Sequence, residues 1–339
     1  MVWLKFVLCL VIILFAGIKL ARYGDAIAEK TGLGRLWIGL VLLAAITSMP
    51  ELVTGVSAAA VVGLPDLALG TLLGSCSLNL AILALLDIFH QRTPVLTEAS
   101  PGHVISASWG ILLMAIAAGT IFVGERVSGL ALGWLGILSI VIFVAYLLGM
   151  WWMFRYERGR QLLVAPAISP KYDELTTRTV YIRFALAAAA VIAAGIWLSF
   201  IGDEIGETTG WSDTFVGSLF LAITTSMPEL VVTMAALRLG AIDMAIADIL
   251  GSNMFNIAII APVDLSYTQG PLLSLASSSH LITAVVVVVM NLLVIAGLRF
   301  RQRRKIFGVF SWYAPVLIVI YILGAYALFS SGAGFVIDY

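Results

Sequence analysis

Ten stretches of this chain run for about twenty residues each with almost no charge: 3–21, 36–62, 67–87, 104–123, 130–154, 180–201, 211–237, 244–263, 281–298 and 312–329. A helix needs roughly 20 apolar residues to cross the hydrocarbon core of a bilayer. Inside that core every backbone polar group must find its partner within the protein, which leaves helices and closed barrels. The runs are too long for barrel strands, so they predict an all-α polytopic membrane protein with ten transmembrane helices. Composition agrees. Only 11% of the residues are charged, against about 25% in soluble domains.

The first stretch is longer than the apolar part of a cleaved leader and no small-residue cleavage site clearly follows it, so it reads as a retained first helix. Cys9 and Cys76 both fall inside apolar runs, which predicts small core side chains rather than a disulfide. With a net charge of zero, nucleic acid is not expected as a partner. The charges are nonetheless unevenly placed. With ten spans, the connections after helices 1, 3, 5, 7 and 9 carry 17 of the 19 Lys and Arg residues, including Arg155, Arg158, Arg160 and the run from Arg299 to Lys305. The opposite side keeps Lys5 and Arg126. The positive-inside rule makes the basic side cytoplasmic. It predicts a multi-pass protein of the cell membrane with both termini extracytoplasmic.

The chain is also one unit written twice. Gly17, Leu20, Gly24, Asp25, Ile27, Glu29, Thr31, Gly32 and Gly39 meet Gly195, Leu198, Gly202, Asp203, Ile205, Glu207, Thr209, Gly210 and Gly217 at a constant offset of 178. The run from Thr47 to Val53, Thr-Ser-Met-Pro-Glu-Leu-Val, recurs from Thr225 to Val231. Further on, Gly74-Ser75-Cys76-Ser77-Leu78-Asn79 matches Gly251-Ser252-Asn253-Met254-Phe255-Asn256 at an offset of 177. The halves are 1–154 and 180–339, joined by a cytoplasmic linker, 155–179, rich in charge and proline. Five spans is an odd number, so the second half enters the membrane from the opposite side. Inverted repeats of this kind characterise many secondary transporters, whose sites lie at the midplane between the halves.

Glu51 and Glu229 sit near the middles of predicted helices 2 and 7. A carboxylate at that depth costs about 2.5–3.5 kcal/mol on insertion scales, and such residues mark ion paths more often than structure. Pro50 and Pro228 precede them, and proline inside a helix removes a backbone donor. The carbonyls this frees fall near Ile46 and Thr224, with Ala44 and Ala222 about half a turn further back. Thr47, Ser48, Thr225 and Ser226 add hydroxyls. Asn79 and Asn256 add amide oxygens, with Ser75 and Ser252 one turn earlier. Taken singly, each Ser or Thr is as well explained by helix–helix hydrogen bonding. As a set they supply the six to eight hard oxygens that Ca2+ takes. No His or Cys occupies a comparable position, which disfavours a transition metal.

The doubled pattern Thr-Ser-Met-Pro-Glu and Gly-Ser-x-x-x-Asn resembles the sodium/calcium exchanger family of the calcium/cation antiporters, in its prokaryotic form, over nearly the whole chain. The resemblance implies ten helices, a midplane diamond of cation sites, and helices 1 and 6 sliding against the remaining bundle. The family's ligand positions fall on Ala44, Thr47, Ser48, Glu51, Ser75 and Asn79, and on Ala222, Thr225, Ser226, Glu229, Ser252 and Asn256. Three departures stand out. Ile46 and Thr224 replace a usual Gly, Cys76 replaces an Asn, and Asn79 and Asn256 stand where studied exchangers carry an Asp in one repeat. Two carboxylates balance one Ca2+, two Na+ or two H+. The expectation is therefore proton-sensitive, electroneutral exchange, with Na+ coupling weak or absent. Asp248, about two turns before Asn256, is an extra acid that fits either a compensating charge or the membrane surface. Asp87 and Asp264, at matching helix ends, read as interface residues. The acidic stretch Asp203, Glu204, Glu207 and Asp213 reads as a solvated loop.

The function expected is a secondary antiporter that moves Ca2+ against Na+ or H+, with the ions as cargo and no cofactor. Its partners are Ca2+, a monovalent counter-cation and the lipid bilayer. An H+- or K+-coupled antiporter of another cation stays open, and a channel, which needs a continuous charged pore, less so. An enzyme such as an intramembrane protease needs paired aspartates or a nucleophile with its base, and neither motif is present.

Overall fold

The computed structural model describes residues 2–90, 93–161, 171–209, 221–302, 304–328 and 330. Helix α1 spans Val2–Thr31 and α2 spans Arg35–Val62 with interruptions; α3 is Pro65–Phe89, α4 His103–Val123 and α5 Ile137–Gln161. Helix α6 is Thr177–Thr209, and α7 comprises Leu221–Thr225 and Met227–Arg238. Helix α8 is Ile242–Ser266, with one irregular residue at Ile259; α9 is His280–Arg299 and α10 Tyr313–Leu328. Among the described residues, eight helices are long and apolar enough to cross a membrane, and the 16-residue α10 is a shorter apolar helix. The predicted span 211–237 lies partly outside the described residues.

Several predicted boundaries shift for identifiable reasons. Residues 130–136 do not begin α5 but form a small antiparallel hairpin, Ala131–Leu132 against Leu135–Gly136. Gly129, Gly133 and Gly136 make that stretch a poor helix former. Helix α5 instead runs on to Gln161, and α6 starts at Thr177, so both ends of the 155–179 linker are helical. The acidic stretch is not a loop as far as Thr209, because α6 continues through it. Glu204 is bound there by Lys5 of α1 at 2.8 Å. Asp213 lies outside the described residues, as do the side chains of Asp203 and Glu207.

The turns after α2 and within the α7–α8 connection are built alike. Gly63 and Gly240, 177 residues apart, both take φ of +75°, a left-handed conformation that costs glycine nothing. After Gly63, Pro65 opens α3, where its missing N–H is no loss. At the centre of the molecule α8 lies directly on α2. A Cβ on Gly251 would stand 2.5 Å from the Leu40 carbonyl oxygen and 2.9 Å from the Ala44 methyl, so only glycine lets the two backbones approach. Gly251→Val is expected to destabilise the protein by about 1–3 kcal/mol through overpacking. A lowered melting temperature in detergent checks this, and an unchanged one would mean α2 and α8 are not in contact.

Two packed bodies emerge. Most buried apolar side chains form one core, whereas Val2, Cys9 and Ile13 of α1 pack with Ala194, Leu198, Ile201 and Ile205 of α6 in a second cluster. Cys9 is the expected core side chain and donates to the Ala194 carbonyl at 2.8 Å. At the other end of α1 the chain after the linker is clasped. Lys171 and Tyr172 donate their backbone N–H groups to Glu29, and the Tyr172 hydroxyl donates to Asp25 at 3.0 Å. Burial and then the neighbouring Asp25 carboxylate push the Tyr172 hydroxyl's pKa up, so it stays a donor. Arg35 completes the clasp on Asp25 at 2.6 Å.

The acids at helix ends tie one half of the chain to the other. Asp243, at the start of α8, accepts from Ser100 N–H at 2.6 Å and faces His103 at 2.9 Å. Its counterpart 177 residues earlier, Asp66, accepts from Ser277 N–H at 2.7 Å and faces His280 at 3.0 Å. Asp87 and Asp264 stand at matching helix ends, as expected, and both are fully buried within the protein. Asp87 in α3 binds the start of α10 through Ser311 and Tyr313, and Asp264 in α8 binds the start of α5 through Gly136 and Ser139. Each carboxylate also caps a short helix eight residues further on, at Val95 N–H and Leu272 N–H. The same contact is thus made twice, each time from one half to the other.

Candidate cation site

The two Thr-Ser-Met-Pro-Glu motifs break their helices identically. Ser48 (φ −89°, ψ 10°) separates Ala44–Thr47 from Met49–Ser57, and Ser226 (φ −86°, ψ 8°) separates Leu221–Thr225 from Met227–Arg238. The proline falls in the first turn of the second segment each time, where it restarts a helix without losing a needed donor. The carbonyls of Ala44 and Ala222, half a turn behind those expected to be freed near Ile46 and Thr224, are not orphaned. Ala44 O accepts from Ser48 N–H at 3.1 Å, and Ala222 O from Ser226 N–H at 3.1 Å. The Thr47 and Thr225 hydroxyls also reach these carbonyls, at 3.4 and 3.2 Å. A serine at the break keeps the carbonyl engaged while turning both side chains inward.

Those side chains meet across the halves. Ser48 Oγ donates to Glu229 Oε1 at 2.9 Å, and Ser226 Oγ donates to Glu51 Oε1 at 3.3 Å. Thr47 Oγ1 lies 3.3 Å from Ser252 Oγ, and Thr225 Oγ1 lies 3.5 Å from Ser75 Oγ. Cys76 and Asn253, the differing residues of the second motif, face one another, with Asn253 Nδ2 donating to the Cys76 carbonyl at 3.1 Å. Glu51, Glu229, Thr47, Thr225, Ser48, Ser226, Ser75, Ser252, Asn79 and Asn256 are all fully buried.

The residues present fit a hard cation. Buried polar atoms are almost always hydrogen-bonded, and each exception calls for an explanation. Several of the exceptions fall on motif residues: Glu51 Oε2, Glu229 Oε2 and both amide atoms of Asn79 and Asn256 make no hydrogen bond. Among the described residues no Lys, Arg or His pairs with either glutamate. Nor do three His, Cys, Asp or Glu side chains gather closely enough to hold a metal by themselves. The donor set is instead two carboxylates diluted by hydroxyl and amide oxygens, which suits Ca2+ or Na+ and not a soft metal. A small pocket of about 60 Å3 lies between α2, α6 and the start of α7, lined by Thr54, Ser57 and Ser199 among apolar side chains.

Asp248 is the residue whose place the sequence left open. It is fully buried, and its Oδ1 accepts from Thr47 Oγ1 at 3.4 Å. It therefore belongs with the motif oxygens and not with the membrane surface. Its counterpart 177 residues earlier is Thr71, and that single acid-for-hydroxyl difference between the repeats was the signal available.

A helical bundle folded around buried carboxylates, with its motifs paired from half to half, is the architecture of a multi-pass membrane transporter. The chain belongs to the sodium/calcium exchanger protein family, whose profile matches residues 1–152 and 179–330. Inner membrane protein YrbG of Escherichia coli (strain K12) is 26% identical over 280 residues, which is 79% of this chain and 81% of YrbG. Sodium/calcium exchanger MaX1 of Methanosarcina acetivorans is 32% identical over 146 residues, 42% of this chain and 39% of MaX1. A solved structure of the sodium-calcium exchanger NCX_Mj superposes with a TM-score of 0.73 at 19% identity, covering 95% of this chain and 96% of that one. The fold is shared, and family and fold are those of transporters rather than enzymes.

Proposed function

We propose that this protein is a secondary antiporter that exchanges Ca2+ for a monovalent cation, Na+ or H+, across the cell membrane by alternating access. The observation that carries the reading is the crosswise pairing of Ser48 with Glu229 and Ser226 with Glu51, around carboxylate and amide atoms that lack any other partner. The cation is cargo, and no resident cofactor takes part. Glu51 and Glu229 carry the charge; Thr47, Ser48, Ser75, Asn79 and their counterparts Thr225, Ser226, Ser252, Asn256 supply neutral oxygens, with the Ala44 and Ala222 carbonyls behind them. Emptying and refilling one central site from either side is what couples the two ions.

The architecture proposed for this cycle has ten membrane helices in two inverted repeats, 1–154 and 180–339, around a cytoplasmic linker. Contacts made twice between the halves, at Asp66 and Asp243 and again at Asp87 and Asp264, support it. The small cluster that α1 and α6 share, beside the side chains each gives to the main core, supports their moving as a pair. A Cβ on Gly195 of α6 would touch Pro50 at 2.5 Å and Pro228 at 3.4 Å, so the pair slides over both helix breaks. Both termini are extracytoplasmic in this scheme. A cysteine at Ser128 is then labelled by an impermeant reagent from outside, and one at Asp173 only after permeabilisation. The reverse pattern would overturn the orientation. The function itself is tested by 45Ca2+ uptake into proteoliposomes under an imposed Na+ gradient and, separately, a pH gradient. Uptake must respond to one of them, and indifference to both would refute the antiporter.

A further inference from the structure

We propose that Asp248 is a third carboxylate of the cation site, set beside Thr47, Ser252 and the Ala44 carbonyl, where it adds for a monovalent cation a negative charge that the matching half does not have. The inference rests on the antiporter reading above and concerns what the two repeats do differently. Thr47 Oγ1 is the hub. It lies 3.4 Å from Asp248 Oδ1, 3.3 Å from Ser252 Oγ and 3.4 Å from the Ala44 carbonyl oxygen. The matching hub in the other half, Thr225 Oγ1, reaches Ser75 Oγ at 3.5 Å and the Ala222 carbonyl at 3.2 Å. Its acid there is Glu51, as Glu229 is for Thr47, and among the described residues no aspartate is added to it. Thr71, the counterpart of Asp248, turns its hydroxyl back to the Leu67 carbonyl of its own helix at 3.0 Å.

Asp248 has no structural occupation to explain its charge. It is fully buried, its Oδ2 makes no hydrogen bond, and among the described residues no basic side chain pairs with it. The capping acids of the same helix differ in this respect, since both Asp243 and Asp264 accept backbone N–H groups. A buried charge persists only when paired or coordinated. Thr47 Oγ1 reaches both Asp248 and Glu229, so one cation placed beside it relieves both carboxylates. A monovalent ion suits the position, because a divalent ion is already balanced by Glu51 and Glu229. Thr47 Oγ1 and the three oxygens around it are too few for Ca2+ on their own, which takes six to eight.

The test is 22Na+ binding to the purified full-length chain in Ca2+-free buffer, with parallel titrations of K+ as competitor, on wild type, Asp248→Asn and Asp248→Thr. The threonine variant reproduces the first repeat's own residue, so one of the two is expected to fold, as judged by a monodisperse elution profile. The wild type should take up more monovalent ions than its two glutamates neutralise, and each folded variant should take up one fewer. A wild-type count no greater than its glutamates, or an unchanged count in a folded variant, overturns the assignment. Ca2+ binding by Glu51→Gln and Glu229→Gln separates the two levels. Its loss there, with an unchanged Na+ count in the Asp248 variants, sinks the subsite alone, whereas its retention sinks the site on which the subsite depends.

Discussion

Replacing Glu51 or Glu229 by Gln is expected to abolish Ca2+ transport in a protein that still folds. Each substitution keeps the shape and the hydrogen bond to the opposite half, since an amide oxygen can accept from Ser226 or Ser48 as the carboxylate does at 3.3 and 2.9 Å. What is lost is a full negative charge facing a dehydrated divalent ion in a low-dielectric interior, where such interactions are far stronger than in water. Hydroxyls and amides cannot replace it, because dehydrating a divalent cation demands formal charge. Flux should therefore fall to the protein-free background in either single variant. The melting temperature should hold or rise, because a buried unpaired carboxylate oxygen is removed. Flux near the wild-type rate in either purified variant would dismiss the site.

The largest expected effect on stability lies far from that centre, at Asp87. Its carboxylate accepts from Val95 N–H at 3.0 Å, Ser311 N–H at 2.8 Å, Ser311 Oγ at 2.8 Å and Tyr313 OH at 2.6 Å. Lys305 stands 3.7 Å away with its side chain 2% exposed, and also donates to the Asp87 carbonyl. Asp87→Ala strips all these donors and leaves a buried ammonium without its counter-charge. Breaking such a pair costs about 3–5 kcal/mol. Burial already lowers the Lys305 pKa and Asp87 offsets that, so the variant's pKa falls further. The unfolded state then binds the more protons, and stability rises with pH through that window. The deficit should be deepest at neutral pH and shrink under alkaline conditions. Asp264→Ala removes three hydrogen bonds at the corresponding place but strands no lysine, so about 1–3 kcal/mol is expected. Equal losses at the two positions, by thermal unfolding in detergent, would show that Lys305 is immaterial.

Much of this molecule was legible from its residues because a bilayer narrows the choices. Uncharged runs of fixed length are helices there, and the repeated Thr-Ser-Met-Pro-Glu located both breaks before any coordinates. The misreadings share one cause. Hydropathy reports where a segment sits and not what its end residues touch, so it placed Asp87 and Asp264 at helix ends without their long-range partners Ser311 and Gly136. The same blindness placed 130–136 in a helix, where glycines turn the chain into a hairpin. For Asp248 the sequence offered the right clue, an acid opposite Thr71. Choosing between site and surface needed the distance to Thr47, which belongs to the other half of the chain. With Asp248 at the site, the count of two carboxylates behind the expectation of electroneutral exchange becomes three.

The most direct test of antiport is accumulation without a Ca2+ gradient. Proteoliposomes holding the full-length chain are given equal Ca2+ inside and out, the membrane potential is clamped at zero, and a Na+ or H+ gradient is imposed. Coupled exchange at one central site must drive internal Ca2+ above the external concentration until the monovalent gradient runs down. Ca2+ that stays level on both sides under either gradient, while still crossing freely when a voltage is applied, would be the behaviour of a channel and would contradict this account.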